Sequence, residues 1–187
     1  MKKLLAPVAS VVLAWSVLLP SGAAADSGSA TFAYWAGTGF ICGLPVPNPC
    51  PDVARAENGD TVSINGTGTI SIHPKSATGS GAFTHTFTGG SRSGTWVATE
   101  LLSFVDYGSG TGAFGPPLHA GNALIRVDLS VGGTVVHTGI LEVTCRLPGA
   151  GGPSEMAKEE GVRLNVQGGV NFNERVSGIT VFSQTAP

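Results

Sequence analysis

Along most of the chain apolar and polar residues alternate with a two-residue period, in short runs separated by Gly, Pro, Asn and Ser. Alternation at that period turns one face of an extended strand toward a core and the other toward water, so it predicts antiparallel β structure. The longest run is Thr61 to His73, where Val62, Ile64, Ile70 and Ile72 share a face with Gly66 and Gly68 and the other face is built from Thr, Ser, Asn and His. Two glycines in mid-run remove side chains from the apolar face, which predicts a bend, a bulge or close approach by another backbone. Further strands are predicted at Thr31 to Trp35, Ala82 to Thr88, Thr95 to Thr99, Leu101 to Tyr107, Val162 to Val170 and Ser177 to Ser183. Trp96 is a candidate core anchor. The best-defined unit is a hairpin from Ala123 to Cys145 around a Gly132-Gly133 turn, and Asn58-Gly59 gives a second turn signal.

Three stretches interrupt the pattern. Gly43 to Asp52 is rich in proline, which cannot donate to a ladder. Gly108 to Asn122 holds five glycines and the Pro116-Pro117 pair and is expected to be a long loop. Pro148 to Gly161 is irregular, with Ser154 placed to cap a short helical turn that Gly161 would end. No segment sustains a helical period, and no longer repeat occurs. About eight to ten strands are expected, in one all-β domain over residues 26–187. Its expected architecture is an antiparallel β-sandwich or a closed β-barrel with long Gly/Pro loops.

The start of the chain belongs to a different class of segment. Lys2 and Lys3 precede a mostly apolar stretch from Leu4 to Leu19, and Ala23-Ala24-Ala25 supplies the small residues of a cleavage site. This predicts a secretory signal over residues 1–25, a secreted or periplasmic destination and no stable membrane anchor once the signal is removed. Composition agrees with that destination. The 187 residues carry a formal net charge of -2 and are 12% charged, where soluble domains usually reach ~25%. Cleavage takes two lysines and no acid, so the mature chain is more acidic still, and a strongly basic nucleic-acid binder is excluded. The polar surface must come from Gly, Ser, Thr and Asn rather than from charge.

An oxidising compartment makes one disulfide expected among Cys42, Cys50 and Cys145. Pro45, Pro47 and Pro49 favour an extended path between Cys42 and Cys50, so the expected bond is Cys50 to Cys145. No Cys-x-x-Cys or His-x-x-x-His spacing occurs, so neither a metal nor another cofactor is expected. Gly-x-Ser-x-Gly, HExxH and P-loop motifs are likewise missing.

Candidate chemistry therefore rests on geometry. An unbroken register from the Gly132-Gly133 turn sets Leu129 opposite Val136 and Ile125 opposite Ile140 on an apolar face. The other face then carries Asp128 across from His137, with Arg126 two residues along. A carboxylate beside an imidazole can fix its tautomer, and an arginine can neutralise an oxyanion, so these three could form an acid/base site. The competing reading is a surface charge pair on a wet sheet face. Glu155, Glu159 and Glu160 fall in a loop and read as a solvated turn rather than as glycosidase carboxylates. His85, between Phe83 and Phe87, reads as a hydrogen-bonded, partly buried histidine rather than a ligand. Trp35 and Tyr107, with His119 in the long loop, are candidate contacts for a small molecule or glycan, against the alternative that the aromatic rings fill the core. The Thr/Ser face of the longest run resembles one row of the hydroxyl arrays seen on ice- or glycan-binding sheets.

The segments Pro49-Cys50-Pro51-Asp52-Val53-Ala54, Asn58-Gly59-Asp60-Thr61, Ile72-His73-Pro74-Lys75 and Asn171-Phe172-Asn173 resemble pieces of a family of small secreted β-rich proteins, bacterial and fungal, with no established function. The likeness spans most of the mature chain and implies a secreted β-rich fold but no activity. The expected function is a non-enzymatic exported module that binds a small molecule or glycan or acts in extracellular interactions. A cofactor-independent enzyme using Arg126, Asp128 and His137 is the alternative.

Overall fold

The computed structural model describes residues 29–110, 118–152 and 160–187. The chain opens with β1 (Thr31–Ala36), a single 3₁₀ segment (Gly39–Gly43) and β2 (Asp52–Ala56). It continues through β3 (Thr61–Ser71), β4 (Ser76–Phe87), β5 (Gly90–Ser109), β6 (Leu118–Val131), β7 (Thr134–Cys145), β8 (Gly161–Val166), β9 (Asn171–Ser177) and β10 (Thr180–Ala186). The fold is all-β, as the alternation predicts, and the strands form one antiparallel sheet that curls into a ring.

Long strands make that ring. The order β2-β3-β4-β5-β6-β7-β8-β9 returns to β2 through the β2–β9 pairing, which closes eight strands and hides their edges. β3 and β6 run past this closure. The second half of β3, Gly66 to Ser71, pairs with β1, the first residues of β6 pair with β10, and β1 pairs with β10. One wall, β3 to β6, is thus continuous, while the facing wall has two blocks, β2-β9-β8-β7 and β1-β10. The interior holds one core, with Phe32, Tyr34, Ile64, Trp96, Ile125 and Phe182 fully enclosed.

The glycines of the longest run have a packing role. Gly66 of β3 pairs with Gly81 of β4, and the buried Trp96 ring lies over them, its Nε1 donating to the Asn65 carbonyl at 3.0 Å. A Cβ on Gly66 would stand 2.2 Å from the Trp96 ring. The expected close approach is present at both glycines: the indole and the Ser80 carbonyl crowd Gly66, and at Gly68 a Cβ would stand 2.0 Å from the Thr78 carbonyl oxygen of β4.

Elsewhere the structure departs from the sequence reading in identifiable ways. The two strands expected at Thr95 to Thr99 and Leu101 to Tyr107 are one, β5, whose register slips beside Ala98, Leu101 and Asp106 let it follow the curved wall. The expected loop Gly108 to Asn122 is shortened from both sides by β5 and β6, and residues 111–117 lie outside the described residues. β2 and β9 are additional strands. The signal segment lies outside the described residues, as do Ser154, Glu155 and Glu159. The disulfide also differs: Cys42 bonds Cys50, with Cα atoms 5.3 Å apart, and Cys145 is free and buried. The prolines do not hold this segment straight, because tight backbone turns (Leu44 N–H to the Ile41 carbonyl, Val46 N–H to the Leu44 carbonyl) and a positive φ at Asn48 coil it between them.

Candidate functional site

The expected Arg126–Asp128–His137 trio does not form, and one residue is the reason. The Gly132-Gly133 turn pairs Val131 with Thr134 and Ser130 with Val135 as expected, but Leu129 then pairs with His137, leaving Val136 as a bulge. From there every β7 side chain is turned over relative to the unbroken register. Asp128 faces Thr138 and Arg126 faces Ile140, while His137 shares a face with Leu129. Arg126 instead pairs with Glu100 at 2.9 Å on the exposed face. The slip has a clear driving force. It buries Leu141, Val143 and Cys145, where the unbroken register would turn Glu142 inward and those apolar residues out.

The bulge carries His137 to the rim of a cavity of about 340 Å³ at the open end of the eight-strand ring. Its wall is apolar: Val62, Phe83, Leu129, Leu164 and Phe172 reach into it from five strands and are buried. His85 and Arg92, cross-strand partners on β4 and β5, join His137 as its polar groups. His85 is held in place, its Nε2 donating to Asp60 Oδ2 at 2.9 Å and its ring meeting Phe172 edge-on at 5.2 Å. It is hydrogen-bonded and partly buried, as expected, and it is also part of a site. A volume of this size lies at the small end of the ~300–1,000 Å³ typical of ligand pockets.

No family model, curated protein or solved structure matches the chain. The mouth must be interpreted from its own chemistry. Among the described residues no group of three or more His, Cys, Asp or Glu is placed to hold a metal ion. The other ligand candidates each have their own local neighbours. Trp35 meets Phe40 edge-on at 5.3 Å, and Tyr107 packs under Gly151 and Gly152. His119 is buried, with Nδ1 on the Asp106 carboxylate at 3.0 Å and its ring against Phe32. A larger groove of about 600 Å³, lined by Arg55, Glu57, Asn58, Asn171, Asn173 and Glu174, is open and polar, with little apolar wall.

At the opposite end of the ring, where the two wall blocks meet, lies a polar cluster that no sequence motif announces. Strand ends leave backbone groups without ladder partners there, and side chains supply them. Glu160 accepts the backbone N–H groups of Thr180, at 2.8 Å, and of Arg146. The Thr180 hydroxyl lies between Glu160 and the Thr144 carbonyl. Arg175, nearly enclosed, donates to Thr144 Oγ1 at 2.6 Å and pairs with Glu142 at 3.2 Å, and Asn122 bridges the same two residues. Asp52 points into the core from β2 with zero exposure, and neither carboxyl oxygen receives a hydrogen bond from a described residue. Gly178 at φ +103° presses on it so closely that a Cβ there would lie 2.2 Å from Oδ1. Burial, then the neighbouring Glu160, pushes the Asp52 carboxyl well above the usual range against a smaller opposing pull from Arg175. Burial also lifts Glu160 to about 7, although the hydrogen bonds it accepts favour its charged form. Asp52 is sealed from solvent and Glu160 is partly buried, and with Arg175 and Thr180 they form a structural seam.

Proposed function

We propose that the protein is an exported binding module that takes a compact, largely apolar small molecule into the mouth of its β ring. The carrying observation is the mouth itself: an open cavity of about 340 Å³ whose floor is built from buried aliphatic and aromatic side chains and whose polar groups cluster at one side. Burying roughly 200 Å² of ligand surface against such a wall would contribute on the order of 5 kcal/mol before the cost of association. Export is supported by the Lys2-Lys3 and apolar segment at the start of the chain and by the Cys42–Cys50 bond, which suits an oxidising compartment. No helix among the described residues is long and apolar enough to cross a membrane. The enzymatic alternative loses the juxtaposition that motivated it, because the Val136 bulge separates His137 from Arg126 and Asp128.

The reading is tested with N-phenyl-1-naphthylamine, an uncharged probe whose fluorescence rises in apolar surroundings. Saturable binding is expected, and Val131→Trp, which fills the cavity from its rim, is expected to abolish it without lowering Tm. Binding that survives the filled mouth would refute the assignment. For export, the mature chain is expected to begin at Asp26 when its N-terminus is sequenced after secretion, and an intact Met1 would contradict it.

A further inference from the structure

We infer that the mouth selects molecules carrying an anionic head on the apolar body, a deepening that rests on the binding reading above. The argument starts from the charge inventory of the cavity. Among the described residues its ionisable lining groups are His85, Arg92 and His137, and none of them is an acid. The carboxylate that touches one of them, Asp60, is largely buried and bonded to the His85 ring. In a chain with more acids than Lys and Arg together, an acid-free cavity is not what composition alone would place.

Among the described residues the Arg92 and His137 side chains make no hydrogen bond or ion pair, in contrast to Arg55, Arg126 and Arg175, each of which has a carboxylate. An unneutralised guanidinium at the edge of an apolar wall is a receptor for oxyanions, because its planar fork matches the two oxygens of a carboxylate, sulfonate or phosphate. The geometry sets the orientation of such a ligand. Arg92 and His85 are cross-strand partners on β4 and β5, and His137 enters from β7, so the head would sit at the rim between them. The body would extend past Phe83 and Leu129 toward Leu164 and Phe172. The Val136 bulge acquires a role in this picture, since without it His137 would face away from the cavity.

A matched pair of probes separates the two levels of the claim. N-phenyl-1-naphthylamine and 8-anilino-1-naphthalenesulfonate share one skeleton and differ by a sulfonate, and both would be titrated into the mature protein. The sulfonate is expected to bind ~10-fold more tightly, the range of one charge-assisted bidentate contact. Arg92→Gln, at an exposed position where folding is not at risk, is expected to remove most of that advantage and bring the Kd values of the two probes within ~2-fold of each other. His137→Gln is expected to remove a smaller part. Arg55→Gln, in the outer groove, is expected to change neither probe. If the two probes bind alike, or Arg92→Gln leaves their ratio intact, the anion preference is overturned while the binding reading stands. If neither probe binds, both fall.

Discussion

The two ends of the eight-strand ring contrast in chemistry and in purpose. At the mouth, a cavity with a buried apolar floor opens to solvent, and among the described residues the Arg92 and His137 side chains have no hydrogen-bond or ion-pair partner. At the seam, carboxyls, hydroxyls and Arg175 are largely buried and most of them are bonded to one another or to backbone. The first arrangement leaves free energy unclaimed, which a ligand can take up. The second uses its polar groups to join two blocks of wall where ladder bonds run out. Polar residues inside a β ring are thus no guide to function by themselves; what distinguishes a site from a joint is whether their partners are already supplied.

The largest expected effect comes from the residue that aims the mouth. Inserting one alanine between Val136 and His137, with the one-residue bulge kept, would shift β7 by one place, set Glu142 opposite the buried Ala123 and turn Leu141 and Val143 toward water. Loss of the cooperative thermal transition is expected, and a well-folded insertion variant would show that the spacing from the turn does not set the register. Next, Arg175→Ala would leave Glu142 and the seam acids without their shared cation and is expected to cost ~3 kcal/mol in denaturant unfolding. A loss under ~1 kcal/mol would mean that the seam does not hold the two wall blocks together.

The seam also has a pH signature of definite sign. Glu160 is lifted from 4.5 to about 7 by burial, so across that interval the folded chain keeps a proton that the unfolded chain releases. The stability tied to this proton is complete below about pH 4.5 and is lost as pH rises through about 7. The raised Asp52 carboxyl acts in the same direction. Tm is expected to fall by ~5 °C between pH 5 and pH 8. Asp52→Asn, neutral at every pH, is expected to recover ~1 kcal/mol at pH 8 and little at pH 4.5. A variant less stable than the parent at pH 8 would mean that Asp52 is charged and useful there. The smallest effect is expected at Arg126, whose pair with Glu100 is about half exposed on both sides. Arg126→Ala should cost under ~0.5 kcal/mol and leave probe binding unchanged, and a loss of binding would return Arg126 to the site.

Much of the wall was legible in the sequence because alternation is a local signal. The Thr61 to Ser71 run, the Gly132-Gly133 turn and the buried Trp96 all follow from residues read in order. β2 and β9 were not legible, since Asp52 and Arg55 interrupt one and Asn173, Glu174 and Arg175 the other, and their pairing is with strands distant in sequence. The site failed to appear for a related reason. His137 was picked out, but its face depended on a bulge, and the cue lay further along, in Leu141-Glu142-Val143, whose alternation conflicts with the register set by the turn. His85, read only as a satisfied histidine, becomes part of a site through neighbours on β5, β7 and β9. The seam joins residues 52, 144, 160, 175 and 180 by tertiary contact and leaves no spacing to read.

The direct test of the contrast between the two ends is an amide chemical-shift map of the ¹⁵N-labelled protein titrated with 8-anilino-1-naphthalenesulfonate. Saturating shifts are predicted at Phe83, His85, Arg92, Leu129, His137 and Phe172, with Asp52, Thr144, Arg175 and Thr180 unmoved. Shifts centred on the seam, or on Asn58, Asn171 and Asn173 of the outer groove, would contradict the assignment of the mouth as the binding site.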